Sequence, residues 1–365
     1  MVVKRIFILA GEASGDVLGA ELVRSLRRIQ PQLHIDAWGG TELSRALNKP
    51  VLRNLDQLAF MGFWDVLRNA GAVRSNFAAA RSVLSDPWDL VVLIDYPGFN
   101  LRLAKWMATR PWRSQRRVVQ LVAPSVWAWK EGRVQILKEA YDAVIPLLPF
   151  EPEFLTQRGV NAPYFGHPAL DRFASGSDTE SGVLVLAPGS RTSELQRLAP
   201  VFAATAARLG MKPRWIRPSS WTEGAYRAML REALQAEPHG ELAEGMISAR
   251  GARAALVASG TATLELALLK VPMVVAYKVD ALSFALAKRL VKVPHVSLVN
   301  LVLGREAVSE RLQNQCTPEF LAQDLRELMA DGPRRTAMLA EFESFTAALG
   351  EGGSMDRTAA YLLQE

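Results

Sequence analysis

The chain has 365 residues, 49% hydrophobic and 22% charged, which is enough for two separate cores rather than one. No apolar run reaches the roughly 18 residues of a membrane span, and a single cysteine, Cys316, excludes an internal disulfide and points to the cytosol. The net charge of +6 is uneven: residues 1–172 hold 22 Lys and Arg against 16 Asp and Glu, whereas residues 173–365 hold 21 of each. The first half therefore carries the whole excess that would attract nucleic acid, anionic lipid or a phosphorylated substrate.

In chain order, residues 4–10 read as a strand, 11–16 as a loop and 17–29 as a helix with Leu18, Leu22, Val23 and Leu26 on one face. The apolar run before Gly11 is too short for a signal peptide and lacks a small-residue cleavage site. Residues 34–38 form a second strand, 58–83 are mostly helical, and the continuous apolar run 90–94 is a central strand. Strands at 118–122, 143–148 and 164–165 complete a first sheet. The small, polar segment 171–178 reads as a linker. A second series follows: strand 183–187, turn 188–193, helix 194–209, and strands 214–217 and 246–248. Then come strand 255–258, the turn Ser259-Gly260-Thr261, helix 262–269 and strand 273–277, with helices at 318–329, 334–349 and 358–363. Alternating short apolar strands and helices specify two doubly wound α/β domains. They are 1–175 and 176–345, with 346–365 as a helical tail that packs back on the first.

Ligands of such sheets bind where strands end and helices begin. The Ser259–Thr261 turn is free of acids, offers helix N-terminal N–H groups and two hydroxyls, and has Glu265 one turn on, which suits a diphosphate with a ribose diol. Ser190 and Arg191, between another strand and helix, add a hydroxyl and a cation for phosphate. The first-half turn carries Glu12 and Asp16, whose charges would repel a diphosphate, and its spacing departs from G-x-G-x-x-G. The nucleotide is therefore expected in the second half. Asp95, at the end of the most apolar strand, is the preferred general base, with Glu12 and Asp16 also on the acceptor side. Plain capping, by Ser14 and Asp16 of the first turn and by Asp95 of its own, is the simpler alternative. The four histidines are far apart in sequence and form no metal-ligand spacing.

Ten stretches, in this order, resemble the lipid-A-disaccharide synthase family. They are 10–20 (AGEASGDVLGA), 61–67 (MGFWDVL), 94–103 (IDYPGFNLRL), 124–129 (PSVWAW) and 148–151 (LPFE). The others are 165–168 (FGHP), 188–194 (PGSRTSE), 258–265 (ASGTATLE), 284–292 (FALAKRLVK) and 296–306 (VSLVNLVLGRE). The resemblance implies a GT-B architecture, two Rossmann-like domains facing across a cleft, and an inverting glycosyltransferase that needs neither metal nor cofactor. The implied donor is UDP-2,3-diacylglucosamine and the implied acceptor 2,3-diacylglucosamine 1-phosphate. It also adds Asn300, Arg305 and Glu306 as donor-side candidates. The family usually carries a second acid where this chain has Gly98. A related enzyme acting on another glycolipid, a UDP-sugar 2-epimerase and a non-catalytic nucleotide-sugar-binding protein share these features.

A peripheral contact with the inner leaflet is expected from both substrates being acylated. Phe60, Phe63, Trp64 and Leu67 recur at one helical face, Arg68 follows, and Trp112 lies among basic residues in 105–117. The same stripe would equally serve as core. The basic residues are not interleaved in a recognised nucleic-acid module.

Overall fold

The apolar runs become the central strands of two six-stranded sheets in the computed structural model, which describes residues 3–57, 70–173, 181–280, 284 and 293–364. The chain divides into two units, Met1–Pro168 with Glu351–Glu365, and Ala169–Gly350. The division falls ahead of position 175, because Ala169 and Leu170 pack into the core of the second unit.

The first unit runs β1 (Arg5–Ala10), α1 (Ala13–Ile29), β2 (His34–Gly39), α2 (Thr41–Leu47), β3 (Arg53–Asn54), α3 (Ala70–Leu84), β4 (Leu90–Ile94) and α4 (Pro97–Ala108). It continues with β5 (Arg117–Leu121), α5 (Val134–Ala140), β6 (Ala143–Ile145) and α6 (Glu151–Thr156). The second unit runs α7 (Ala169–Arg172), β7 (Ser181–Ala187), α8 (Thr192–Arg208), β8 (Arg214–Arg217), α9 (Glu223–Leu234), β9 (Glu241–Glu244), β10 (Ala252–Ala258) and α10 (Thr261–Leu268). After these come β11 (Met273–Tyr277), α11 (Leu298–Leu303), β12 (Ser309–Leu312), α12 (Pro318–Met329) and α13 (Pro333–Ala348). The last helix, α14 (Ser354–Leu363), returns to the first unit.

Every strand pairing is parallel, with strand orders β3-β2-β1-β4-β5-β6 and β12-β11-β10-β7-β8-β9. Counted from its own first strand, the second order is the first one reversed, so both sheets have the Rossmann winding. Each reverses direction between its first and fourth strands: β1 and β4 in one, β7 and β10 in the other.

In the first unit the pleat sends neighbouring residues to opposite faces. Leu90, Val92 and Ile94 of β4 join α1 (Leu18, Leu22, Leu26) and α14 (Met355, Ala359, Leu362). Val91 and Leu93 join α3 and α4 through Leu84, Leu103 and Met107. Both faces of β4 are covered, which is why it is apolar without alternation.

Several expected elements differ. The helix expected at 58–83 is seen as α3 from Ala70, and 58–69 lie outside the described residues. Residues 164–165 form no strand, and β6 ends at Ile145. The strand expected at 246–248 is a 3-10 turn, Met246–Ala249, and the sheet is finished by the polar edge strand β9 instead. The helix expected from Val17 starts at Ala13, so Asp16 is helical rather than in a loop.

Candidate functional site

In the first unit the loops leaving β1 and β4 meet at the strand-order reversal. Gly11 permits it: a Cβ there would lie 2.2 Å from the Tyr96 ring, so no other residue lets the two turns close. Asp95 and Tyr96 both sit at φ 47 and Val122, just beyond β5, at φ 70. A β-branched residue in that region is strained, and neighbours hold the backbone there. The Asn100 amide donates to the carbonyls of Ile94 (3.2 Å) and Asp95 (2.7 Å). The buried Gln120 amide donates to the carbonyls of Asp95 (3.0 Å), Leu121 (3.3 Å) and Val122 (3.2 Å). Burial holds the Asp95 carboxyl above the ordinary aspartate range, partly offset by a hydrogen bond from the Tyr96 backbone. Burial, then the Glu12 charge, raises the Tyr96 phenol. Glu12, at the N-cap of α1, and Asp95 therefore flank Tyr96 at one edge.

Asp16 does something else. Its buried carboxylate accepts from the backbone N–H groups of Gly40 (2.6 Å), Glu42 (2.9 Å) and Leu43 (3.1 Å). Those are the donors left over at the start of α2, whose N-cap, Gly40, has no side chain to serve them. Asp16 thus caps α2 from α1.

At the matching reversal of the second unit, the loops after β7 and β10 lie side by side, since these strands are hydrogen-bonded neighbours. Arg191 is the N-cap of α8, and its guanidinium donates to Glu194 (2.8 Å). The same Glu194 carboxylate accepts from the backbone N–H groups of Ser190 (3.1 Å) and Arg191 (3.3 Å), so this loop already folds around an anionic group. Gly260 adopts φ +151 as N-cap of α10, and nothing lies within 4 Å of where a Cβ would project. The helix opening is thus accessible, with no acid in its first turn. Thr261 is exposed there, while the Ser259 hydroxyl donates to the Val296 carbonyl (2.6 Å) and so braces the turn. Burial raises the Glu265 carboxyl, and Arg172 draws it back.

Asn300 is wholly inside. Its side chain donates to the Val308 carbonyl (2.9 Å) and Glu310 (2.8 Å) and accepts from the N–H groups of Ala307 and Val308. That set leaves no atom for a nucleotide, so Asn300 is a corner post of α11 and β12. Arg305 and Glu306 precede β12 and lie at the amino edge of the sheet, because α11 runs back across it from Ser297. Arg305 forms a fork with Glu341 of α13 (2.6 to 3.1 Å), which raises its pKa. Asn300 and Arg305 thus brace α11, β12 and α13, and Glu306 is exposed next to Arg305.

Of the expected membrane residues, Phe60, Phe63, Trp64, Leu67 and Arg68 lie outside the described residues. Trp112 packs partly on the core of the first unit, edge-on to Trp106 at 5.9 Å and with the Arg116 guanidinium 3.8 Å over its ring. Its ring is therefore half-buried. Among the described residues no helix is long and apolar enough to cross a membrane.

The positioning groups Asn100, Gln120 and Glu194 are absent from the expected set. Glu194 stands three residues after Arg191, the spacing of a reciprocal cap, and that signal was readable. Asn100 and Gln120 act through backbone carbonyls on a neighbouring turn and strand, which no local pattern announces.

A family model of lipid-A-disaccharide synthetases matches residues 6–363. Similar curated proteins named lipid-A-disaccharide synthase include that of Alkalilimnicola ehrlichii, 38% identical over 382 residues (98% of each chain). That of Neisseria meningitidis serogroup B is 37% identical over 381 residues (99% of this chain, 97% of that one). Among solved structures, a UDP-GlcNAc 2-epimerase from Methanocaldococcus jannaschii has a TM-score of 0.63 at 12% identity, covering 98% of this chain and 99% of that one. The calicheamicin glycosyltransferase has 0.57 at 16%, covering 99% and 98%. These structural likenesses establish the two-domain Rossmann-like GT-B fold and nothing further. The near full-length sequence match goes beyond fold: the chain belongs to the lipid-A-disaccharide synthetase family of glycosyltransferases.

Proposed function

We propose that the protein transfers 2,3-diacylglucosamine from its UDP ester to the 6-hydroxyl of 2,3-diacylglucosamine 1-phosphate. The acceptor oxygen attacks the anomeric carbon, the bond from that carbon to the diphosphate oxygen breaks, and UDP leaves with the electron pair. Asp95 takes the hydroxyl proton, and a β-1,6 disaccharide 1-phosphate forms with inversion. The observation that carries this reading is the division of labour between the two strand-order reversals. One presents a half-buried carboxyl of raised pKa, the other an acid-free helix opening beside a loop already wrapped round an anion. A general base with raised pKa suits proton removal near neutrality. Helix N–H groups, Ser190 and Arg191 suit a departing diphosphate, and Glu265 suits the ribose diol.

The test is UDP release from UDP-2,3-diacylglucosamine with and without the 1-phosphate acceptor. Acceptor-dependent release with a disaccharide product supports transfer; release of UDP without acceptor supports an epimerase or hydrolase. A peripheral location at the inner leaflet belongs to the same reading and is supported by the acylated substrates and the basic first half. Flotation with anionic vesicles at low salt checks it, and protein left wholly in the soluble fraction refutes it.

A further inference from the structure

Beside the Asp95 edge lies a group of cations that the proposed chemistry does not use. The loop from β5 to α5 carries Trp129, Lys130 and Arg133, and Arg102 stands on the second turn of α4, which begins two residues after Asp95. Trp129 is 41% exposed, one of few large apolar side chains left in solvent. The Lys130 ammonium sits 4.1 Å and the Arg133 guanidinium 5.6 Å from its ring, so the ring gathers both charges at one point. Lys130 holds φ 55, a left-handed conformation uncommon for lysine. The loop is also braced below: the Trp127 indole donates to buried Glu151 (2.9 Å) and meets Phe150 edge-on at 4.9 Å.

The cations face one another without a counter-charge. Glu131, the one carboxylate in 129–133, accepts from Arg158 (2.8 and 3.1 Å). Among the described residues Arg102, Lys130 and Arg133 make no ion pair. After desolvation, Arg133 depresses Lys130 and Arg102 depresses Arg133, which shows that the three fields overlap. A solvated basic face spreads its charges, whereas this one concentrates them, the arrangement that a compact dianion neutralises.

We propose that Lys130 and Arg133, gathered over Trp129, together with the neighbouring Arg102, form a phosphate-monoester site that holds the 1-phosphate of the acceptor sugar. The assignment rests on the acceptor proposed above and deepens it, naming the groups that tell a phosphorylated acceptor from an unphosphorylated one. The phosphate remains intact throughout; the site only binds and orients.

The experiment compares short-chain 2,3-diacylglucosamine 1-phosphate with its dephosphorylated counterpart in uncharged micelles, by calorimetric binding without donor and by turnover with it. Wild type should prefer the phosphorylated form. In Lys130→Ala/Arg133→Ala that preference should shrink roughly 10- to 150-fold, the worth of a charge-assisted contact. UDP affinity and the thermal midpoint should stay unchanged, and Arg133→Lys alone should keep most of the preference. Equal binding of both forms by wild type, or an undiminished preference in the double variant, overturns the site. If the binding preference is lost in the variant although no disaccharide forms with wild type, the site stands and the transfer reaction falls. If the variant loses only flotation on anionic phospholipid vesicles and keeps its preference in micelles, the patch is a membrane contact and the proposal is overturned.

Discussion

Asp95 ties position to chemistry most closely. Its raised pKa means that ionising it in the folded chain costs stability: the favourable contribution is complete below the unfolded value of 3.8 and is lost as pH rises through the folded one. Asp95→Asn should therefore keep or slightly raise stability at neutral pH while losing most turnover, since an amide accepts no proton. In wild type the acidic limb of the rate profile should lie above the usual carboxylate range. A variant with near wild-type rate places the base elsewhere, with Glu12 next in line. Arg191 makes a different case. Its pair with Glu194 is exposed and worth little to the fold, so Arg191→Ala should leave the unfolding midpoint unmoved. UDP affinity should fall roughly 10- to 150-fold, as expected for a lost charge-assisted contact of about 1.5–3 kcal/mol. Calorimetry giving wild-type affinity removes Arg191 from the donor site.

Among the elements, α2 depends on a cap from another helix. Asp16→Ala strips an acceptor from three backbone N–H groups at once, and orphaned buried donors cost about 1–3 kcal/mol. Urea unfolding should show a lower midpoint at unchanged slope. A variant as stable as wild type but inactive would place Asp16 in the chemistry. Gly98, where the resemblance implied a second acid, sits at the second position of α4, and no atom lies within 4 Å of where a Cβ would project. A side chain would fit there without displacing anything, so its absence leaves the packing as it is.

The chain's last fifteen residues belong to its first unit. Met355, Ala359 and Leu362 of α14 complete the core face built from α1. The Arg117 guanidinium donates to the Tyr361 carbonyl (3.0 Å) and Arg357 to the Phe165 carbonyl (2.7 Å). Burying a Leu or Met side chain is worth about 1.5–3 kcal/mol, so deleting 351–365 should cost the first unit roughly 3–6 kcal/mol. Limited proteolysis should then cut within 1–168 while a fragment spanning 169–350 persists. Equal protection of both halves would show that α14 is dispensable.

The alternation of strands and helices and the position of the glycine-bearing turns follow from the amino-acid order alone. β4 and β10 are legible because strands buried on both faces read as unbroken apolar runs, and the Ser259–Thr261 and Pro188–Arg191 turns because Gly, Ser and a breaker punctuate them. The edge strands β3, β9 and β12 are not, since half-exposed strands such as ELAE and SERL carry charges that resemble loops. Which polar side chains face a ligand and which face the chain is settled only when the chain has folded. Asp16 and Asn300 are polar side chains in candidate stretches, and backbone groups 24 to 27 and 7 to 8 residues away bond to them. A side chain's hydrogen-bonding capacity is finite, and only the fold shows which groups reach it first.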